Sequence, residues 1–315
     1  MWFLPKRHKT DSWLIKGTSK NLDSVFHLSL SGRALKIITI IHIFFLLIIP
    51  GFFSSIGFSK GYDLLEQTET GIINWSKWTI ETTGIGTLPE KRPENPSKVS
   101  LDAAKQDAQK KIIKTLQQVR ISDSTTVGKI SDKGSGILEK IEALIKDAQI
   151  IKQEYLSDGT AKVTIEFNLT GNFTQLALPR EIKQIESVKP ISPADSKPPV
   201  FTGLIVDATG INAKPALVPK IIDENNSEVF GSAFVSRESA VGQGMCGYYQ
   251  DLSFARKHQR VGDHPLIVKG LRTDSGAESI IVISNTDAAK LKSASEHLQL
   301  LRKCRVLIVI DSPAK

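Results

Sequence analysis

The sequence predicts an α+β fold in which two small α+β domains follow one N-terminal apolar segment. Three observations carry this prediction. Residues 37–58 form an apolar run without a charge, and residues 72–180 alternate between helical and strand-like periodicity. A proline-rich stretch, taken as a linker over residues 181–199, then separates them from a second patterned segment at residues 200–315. At roughly 110 residues, each segment is long enough to bury a core of its own.

The apolar run of residues 37–58 is predicted to bring the chain to a membrane. A helix of this length, free of charged side chains, spans the hydrocarbon core of a bilayer. Residues 1–36 carry seven basic and two acidic side chains, a balance of +5. Because basic flanks stay on the cytoplasmic side, we expect a basic cytoplasmic leader over residues 1–36 and export of the rest.

The sequence leaves two fates open for this segment. It suits an uncleaved transmembrane anchor, and it also suits a signal peptide, since Gly57 and Ser59 offer an acceptable cleavage site before Lys60. The length of the leader favours the anchor, or a true start downstream of Met1. No cysteine follows the segment directly, so a lipid-attachment residue of the lipoprotein type is missing there.

The charge of the chain argues against nucleic-acid binding. The formal net charge is +8, of which the leader accounts for +5, leaving +3 for the rest of the chain. The remaining basic residues are interleaved with acidic ones, whereas a nucleic-acid footprint requires a basic patch. The sequence therefore predicts no nucleic-acid partner.

The first domain, residues 72–180, is predicted to begin with a strand and an amphipathic helix. Residues 72–88 carry the aromatic and β-branched side chains that are typical of strands. Ser100 is a suitable N-cap for the helix that follows. Apolar residues then recur at helical spacing, at Leu101, Ala104, Ala108, Ile112, Leu116 and Val119. A second helix is expected over residues 137–148.

A hairpin is predicted to close the first domain. Residues 150–156 and 161–169 are predicted to be two strands, and residues 162–167 alternate strictly between polar and apolar side chains, as a strand with one buried face does. Between them lie Asp158 and Gly159, and the Asp-Gly pair supplies the backbone conformation that a tight hairpin needs. The predicted order of the domain is therefore β–α–α–β–β.

Three segments of this domain carry a resemblance to a known family: DAAKQDA at residues 102–108, STTV at 124–127 and YLSDGTAKVT at 155–164. They resemble the bacterial twenty-kilodalton LPP-type envelope lipoprotein family, whose relatives include flagellar basal-disk lipoproteins and ring-forming flagellar proteins. The resemblance covers about residues 72–180. It implies a non-enzymatic envelope module that packs into assemblies, although this chain lacks the lipidation cysteine of the lipoprotein members.

The second domain, residues 200–315, is predicted to be α+β as well. Strand-like segments are expected at residues 201–206, 216–222, 229–235, 266–271, 279–284 and 305–310. A helix is expected near residues 248–257, and another begins near Asp287 and runs to Leu301. The last strand is apolar throughout, which suits a strand covered on both faces.

Two kinds of segment imitate catalytic or cofactor motifs. Residues Gly242 to Gly247 match G-x-G-x-x-G, but residues 236–241 lack the strand that this dinucleotide fingerprint requires. Asp207 and Asp274 lie in Asp-Ala-Thr-Gly and Asp-Ser-Gly sequences like the paired loops of aspartic proteases. Both sequences are also ordinary turn chemistry. We therefore assign neither function to them.

The histidines indicate no metal or catalytic site. His258 and His264 are six residues apart, which is not the one-turn spacing that places two imidazoles on one helical face. Asp263 and His264 are adjacent in sequence, and neighbours of this kind point in different directions more often than they form a dyad. The sequence predicts no catalytic residue, no cofactor-binding residue, no metal ligand and no cofactor.

The two cysteines, Cys246 and Cys304, fall in the part of the chain predicted to be exported. An oxidising compartment permits a disulfide between them. Two buried free thiols fit the sequence equally well, because spacing alone cannot bring two β-carbons within bonding distance. Both alternatives stay open at this point.

Together these observations predict a non-enzymatic protein of the bacterial cell envelope. It is expected in the periplasm, tethered to the inner membrane through residues 37–58 or released after cleavage. A structural or assembly role is expected, with other envelope proteins or further copies of the chain as partners and, as the resemblance implies, an association with the flagellar motor. One alternative is a periplasmic module that binds or senses a ligand or the cell wall. Another is a hydrolase whose site would include Asp263 and His264.

Overall fold

The structure of the protein is a computed structural model that describes residues 62–91, 93–131, 136–179 and 200–312. The predicted leader, membrane segment and proline-rich linker lie outside these ranges. Across the residues that the structure describes, no helix combines the length and the apolar character needed to cross a bilayer. The described residues belong to one compact unit.

The α+β prediction is confirmed, and each half of the described chain has its own sheet. The first module, residues 62–179, holds a five-stranded antiparallel sheet in the order β1-β2-β3-β5-β4. Its strands are β1 (Leu65–Gln67), β2 (Ile72–Asn74), β3 (Thr79–Gly86), β4 (Gln149–Tyr155) and β5 (Ala161–Asn168). Its helices are α1 (Pro96–Gln118), α2 (Val127–Ser131), α3 (Ile137–Lys146) and α4 (Asn172–Ala177).

Helix α1 lies almost against the backbone of β3. A β-carbon added to Gly84 would lie 2.0 Å from the carbonyl oxygen of Ala104, and one added to Gly86 would lie 1.9 Å from that of Ser100. Only glycine in the strand and small residues in the helix allow so close an approach. The buried helix face includes Ala104, Ala108, Ile112 and Leu116, as the helical spacing predicted.

The predicted start of this helix is wrong. Ser100 is not the N-cap but a fully buried residue inside α1. The helix begins at Pro96, and the side chain of Asn95 caps it by accepting a hydrogen bond from the backbone N–H of Lys98 at 3.3 Å. Proline fits the first turn because its missing amide has no helical partner there, and the N-cap therefore lies five residues earlier than expected, at Asn95 instead of Ser100.

The strand-like run of residues 72–88 folds as two strands. Strands β2 and β3 pair in antiparallel fashion around a turn formed by Trp75, Ser76, Lys77 and Trp78. Trp78 has a φ of 58°, a left-handed conformation that is uncommon for a bulky residue. Its burial, together with that of Trp75, shows that the turn points into the protein rather than into solvent.

The second module, residues 200–312, holds a seven-stranded mixed sheet in the order β8-β7-β11-β10-β6-β12-β9. Its strands are β6 (Leu204–Asp207), β7 (Lys220–Asp223), β8 (Glu228–Phe230), β9 (Gly247–Tyr249), β10 (Leu266–Asp274), β11 (Ala277–Ile283) and β12 (Val306–Val309). Its helices are α5 (Arg237–Gln243), α6 (Leu252–Ala255), α7 (Asn285–Lys292) and α8 (Ser295–Arg302). Strands β9, β12, β6 and β10 run parallel to one another.

Two sequence expectations for this module need correction. The helix expected near residues 248–257 is strand β9 followed by the short helix α6, because β9 pairs with the C-terminal strand β12. The helix expected from Asp287 to Leu301 is divided into α7 and α8. The break falls at Ser293 and Ala294, where Ala294 is extended with a φ of −139°. Strand β12 is buried along its whole length, as predicted.

The two modules share one hydrophobic core. The Trp75 ring meets Tyr248 edge-on with centroids 5.9 Å apart, and the Trp78 indole N–H donates to the carbonyl oxygen of Cys246 at 3.1 Å. Ser76 donates a further hydrogen bond to the carbonyl oxygen of Tyr248. The turn after β2 therefore inserts into the second module. The predicted boundary between two separate domains lies in the linker, outside the described residues, so the division into two domains stays a prediction.

Candidate functional site

A cleft of about 1120 Å³ opens between the two sheets, next to the carboxyl ends of the parallel strands. Gln250 follows β9, Asp311 follows β12, and Asn212 to Pro215 follow β6. The opposite wall comes from the first module, with Asp63, Leu65 to Gln67, Ile72 and Arg120. Ligands of parallel sheets commonly bind outside the carboxyl ends of the strands. This cleft is therefore the candidate site of the protein.

Arg120 and Glu66 form the central charged pair of the cleft. The Arg120 Nη2 atom lies 2.6 Å from Glu66 Oε2, and both side chains are largely buried. The same carboxylate oxygen accepts a hydrogen bond from the Trp75 indole N–H at 2.7 Å. The guanidinium carbon of Arg120 lies 5.8 Å from the centre of the Trp75 ring. Stacking and two donors thus hold the pair in one orientation.

The backbone around Arg120 is pinned by the second module. The Leu217 N–H donates to the Arg120 carbonyl oxygen at 2.9 Å, and the Val218 N–H donates to that of Ile121 at 2.7 Å. The Arg120 Nε–H in turn donates to the carbonyl oxygen of Pro215 at 2.8 Å. Arg120 therefore connects the end of α1 with the segment that follows β6 in the second module. Its position depends on the contact between the two modules.

The rim of the cleft carries further paired charges. Lys214 lies 2.6 Å from Glu278, with both side chains half exposed. Asp311 accepts a hydrogen bond from the backbone N–H of Gly210 at 2.7 Å. Asp63 lies 3.5 Å from the Lys77 ammonium group and accepts a hydrogen bond from the Asn74 amide at 3.1 Å. Charges of both signs are therefore present near the opening.

Side-chain amides add neutral hydrogen-bonding groups to these charges. Gln67, Asn212 and Gln250 line the cleft and offer both donors and acceptors. No histidine or cysteine is among the described lining residues. Across the described ranges, no group of three or more His, Cys, Asp or Glu side chains could hold a metal ion. The geometry suits recognition of a polar molecule with both hydrogen-bond donors and acceptors, such as a sugar or a peptide.

The two aspartates of the protease-like sequences lie apart and hold turns. Asp207 is paired in register with Lys269 of strand β10. Asp274 lies five residues further along that strand, so Asp207 and Asp274 are more than about 10 Å apart. Two carboxylates at that distance cannot share a proton. Asp274 accepts a hydrogen bond from the backbone N–H of Ser275 at 2.9 Å, as turn aspartates do.

Asp207 is held as an anion. Burial acts to raise the pKa of its carboxyl, but hydrogen bonds from Thr209 and from the Lys269 ammonium outweigh burial, so the pKa lies below its usual value. The Thr209 hydroxyl donates at 2.7 Å, and the Lys269 ammonium lies 3.1 Å away. With its oxygens engaged in this way, Asp207 orders the turn behind β6.

The glycine-rich sequence is not a dinucleotide loop. Helix α5 precedes Gly244 and strand β9 follows it, which reverses the strand–loop–helix order of the fingerprint. Gly244 has a φ of 76°, and a β-carbon there would lie 2.5 Å from the Trp78 ring. Glycine is therefore needed at this position for the close approach of Trp78. The sequence also contains G-x-S-x-G, the pattern of a hydrolase nucleophile elbow, at residues 57–61, and these residues lie outside the described ranges.

The histidine candidates lie away from the cleft. Asp263 and His264 are exposed in the loop before β10, and neither lines the cleft. His258 accepts a hydrogen bond at Nδ1 from the Arg260 N–H at 3.1 Å, and its Nε2 lies 2.9 Å from the Tyr249 hydroxyl. Burial, and then the charge of Arg260, lower the pKa of this imidazole. His258 is therefore a neutral packing residue at neutral pH.

Both cysteines are buried free thiols in the structure. Burial raises the pKa of the Cys246 thiol to about 12, and it raises that of the Cys304 thiol to about 12 as well. The Arg260 guanidinium lies beside them and donates to the carbonyl oxygens of Cys304 and Gly244 at 2.8 and 2.6 Å. Thiols with so high a pKa are protonated and unreactive at neutral pH.

Sequence reasoning did not single out Arg120, Glu66 or the rest of the cleft. Arg120 and Glu66 are 54 positions apart, and no short motif joins them. One local signal was present, since Arg120 is a lone basic residue between the apolar residues Val119 and Ile121. A charged side chain between apolar residues usually has a partner, but the partner of Arg120 is Glu66 on strand β1, which no local pattern identifies.

Comparison with known protein families gives a match in the second module. Among curated proteins, none matches this chain significantly. Residues 203–312, which make up nearly all of the second module and about a third of the chain, are similar to the family described as Treponema pallidum Tp0624, second domain.

Proposed function

We propose that this protein is a non-enzymatic component of the bacterial cell envelope with a structural or assembly role. The observation that carries the proposal is the open edge of strand β4. All seven of its residues are exposed, and it is the last strand of its sheet. A long strand with an unpaired edge and apolar side chains is a template for the addition of another strand.

Apolar side chains are concentrated along this edge. Ile150, Ile151, Tyr155 and Leu156 are 40, 45, 50 and 43 % exposed, and they account for four of the ten large apolar side chains that the described chain exposes. The other terminal strands differ from β4. Strands β1 and β8 have three residues each, and β9 is fully buried. The apolar edge of β4 is therefore the surface best suited to a protein partner.

Localisation and partners complete the proposal. The charge asymmetry around residues 37–58 supports export to the periplasm, with that segment as an inner-membrane anchor or a cleaved signal. The resemblance of residues 72–180 to envelope lipoproteins supports other envelope proteins as partners and an association with the flagellar motor. A reporter active only outside the cytoplasm, fused after Lys315, should be active, and an inactive but expressed fusion would contradict the envelope location.

The assembly role is tested by blocking the edge without disturbing the fold. Ile151→Asp and Tyr155→Asp place charges on exposed positions, where the free energy of unfolding should change by about 0.5 kcal/mol or less. We expect both variants to lose complementation of a deletion strain in motility and envelope integrity. Ile85→Asp is the matched control, because Ile85 is 49 % exposed on the same sheet. Full complementation by both β4 variants would reject the proposal.

Ligand binding at the cleft is the second candidate function. It is supported by the Arg120–Glu66 pair and the amide groups at the carboxyl ends of the parallel strands. Titration of the protein with soluble cell-wall fragments should give saturable heat that Arg120→Met removes. Asp263→Ala and His264→Ala should bind like the native protein, since neither residue lines the cleft. Equal loss in the His264 variant would instead favour the hydrolase alternative.

A further inference from the structure

We propose that strand β4 pairs with the β4 strand of a second copy of this chain, in antiparallel fashion about a two-fold axis at Gln153. The inference rests on the proposed assembly role and names the partner of that surface. It would join the five-stranded sheets of two copies into one continuous sheet. A two-fold arrangement of this kind uses the same surface on both copies and closes the assembly as a dimer.

The side chains of β4 complement themselves in this register. About an axis at Gln153, Lys152 lies opposite Glu154 of the second copy, and symmetry repeats this pair on the other side. Counted along the chain, Ile151 then comes opposite Tyr155, and Ile150 comes opposite Leu156, the residue that follows β4. The register shift at Ile151 makes this apolar match less regular than the charged pair. Opposite charges, and apolar pairs that include an aromatic ring, are the cross-strand pairs that stabilise antiparallel sheets. The Gln153 side chains meet at the axis, where amides can both donate and accept.

Neighbouring registers are less favourable. A two-fold axis at Lys152 places the Lys152 ammonium groups of the two copies opposite each other, and an axis at Glu154 places the two Glu154 carboxylates opposite each other. Like charges placed directly opposite one another destabilise a strand pair. The charge pattern of the strand therefore selects the register centred on Gln153.

The surface needed for this pairing is accessible in the single chain. Lys152 and Glu154 lie 3.0 Å apart on their own strand, with side chains 62 and 51 % exposed. An exposed pair of this kind contributes little to stability, so both groups are available to a second copy. The β4–β5 ladder shifts register between Ile150 and Lys152, but from Lys152 to Tyr155 it is regular. The regular part contains the axis and both charged residues.

A single cysteine placed on the axis tests the register in the full chain. Residues directly opposite in an antiparallel pair have α-carbons about 4.5–5.5 Å apart, within disulfide range. Gln153→Cys should therefore form a disulfide-linked dimer under mild oxidation of native membranes. Gln149→Cys is the matched control, because its two copies would lie about 27 Å apart. We expect at least about tenfold more linked dimer from Q153C than from Q149C.

Charge exchange provides the second test. Lys152→Glu places carboxylates opposite one another and should abolish the Q153C-linked dimer, whereas K152E combined with E154K restores opposite charges and should recover it. Equal crosslinking of Q149C and Q153C would overturn the inference, and so would failure of the double exchange to recover the dimer. A purified full chain that sediments as a monomer would overturn it as well. If self-pairing fails while Ile151→Asp still abolishes complementation, the edge binds another protein, and the assembly role stands without the second copy.

Discussion

The two modules bury their sheets in different ways. In the first module the strands are antiparallel, and helix α1 covers β3 and β5 on one face, so β5 alternates strictly between buried and partly exposed residues. In the second module β12 lies between β6 and β9, and every residue of β12 is buried. The first sheet keeps a solvent face, whereas strand β12 of the second sheet is covered on both faces. Strand β5 is therefore recognised in the sequence by its alternation, whereas strand β12 is recognised by its continuous apolar run.

The edges of the two sheets differ as well. Strand β9 ends the second sheet, but the backbone of Asp63 forms an isolated antiparallel β-bridge with Tyr249. The Gln250 N–H also donates a hydrogen bond to the carbonyl oxygen of Tyr62 at 3.3 Å. Strand β4 ends the first sheet, and all its residues are exposed. The chain covers the edge at β9 with its own residues and leaves the edge at β4 available. The contrast separates an edge used for folding from one suited to a partner.

The largest predicted effect concerns the junction of the modules. Trp78→Ala removes a buried indole and leaves the carbonyl of Cys246 without its donor, so we expect the free energy of unfolding to fall by about 3–5 kcal/mol. If the modules share one core, calorimetry should show a single transition at a lower temperature. Ile85→Ala, at an exposed position of β3, should change the free energy by about 0.5 kcal/mol or less. Two transitions, of which one keeps its native temperature, would mean that the modules unfold separately.

A smaller effect is expected inside the first module. Gly84→Ala places a β-carbon 2.0 Å from the Ala104 carbonyl oxygen, and separating α1 from β3 should cost about 1–3 kcal/mol. Gly242→Ala is the matched control in α5, because no atom lies within 4 Å of the added carbon. Alanine is favoured over glycine inside a helix by about 0.5–1 kcal/mol, so the control should be neutral or stabilising. Urea denaturation measures both variants, and equal stability of the two would contradict the close approach.

The smallest predicted effect is a pH dependence from the second module. Burial lowers the pKa of His258 in the native state below its ordinary value of 6.5. Between these two values the unfolded chain binds more protons, so stability is fully present above pH 6.5 and falls as the pH is lowered through that window. His258→Gln should lose less stability than the native protein between about pH 7 and pH 5. The exposed control His264→Gln should follow the native protein, and an unchanged profile in His258→Gln would refute the prediction.

Local patterns were sufficient for much of the first module. The helical spacing from Ala104 to Leu116 and the Asp158-Gly159 turn each depend on contacts between near neighbours in sequence, and both are found as predicted. The predictions that were wrong concern residues whose local structure depends on contacts with residues distant in the sequence. The Ser100 position looks like a cap, but its side chain is buried where α1 meets Gly86. Residues 248–249 look helical, but β12 pairs with them as a strand.

The sequence by itself determined the α+β class, the main helix and the closing hairpin, because their periodicities repeat within a few residues. Tertiary structure alone decided the features that carry the proposals. Arg120 meets Glu66 because segments of both modules hold the end of α1, and Trp78 is buried because Gly244 admits its ring. Strand β4 is the hairpin partner of β5, yet all of its residues are exposed because it lies at the end of the sheet order. Pairwise contacts between distant residues leave no periodic signal in a single chain, and only the folded arrangement brings them together.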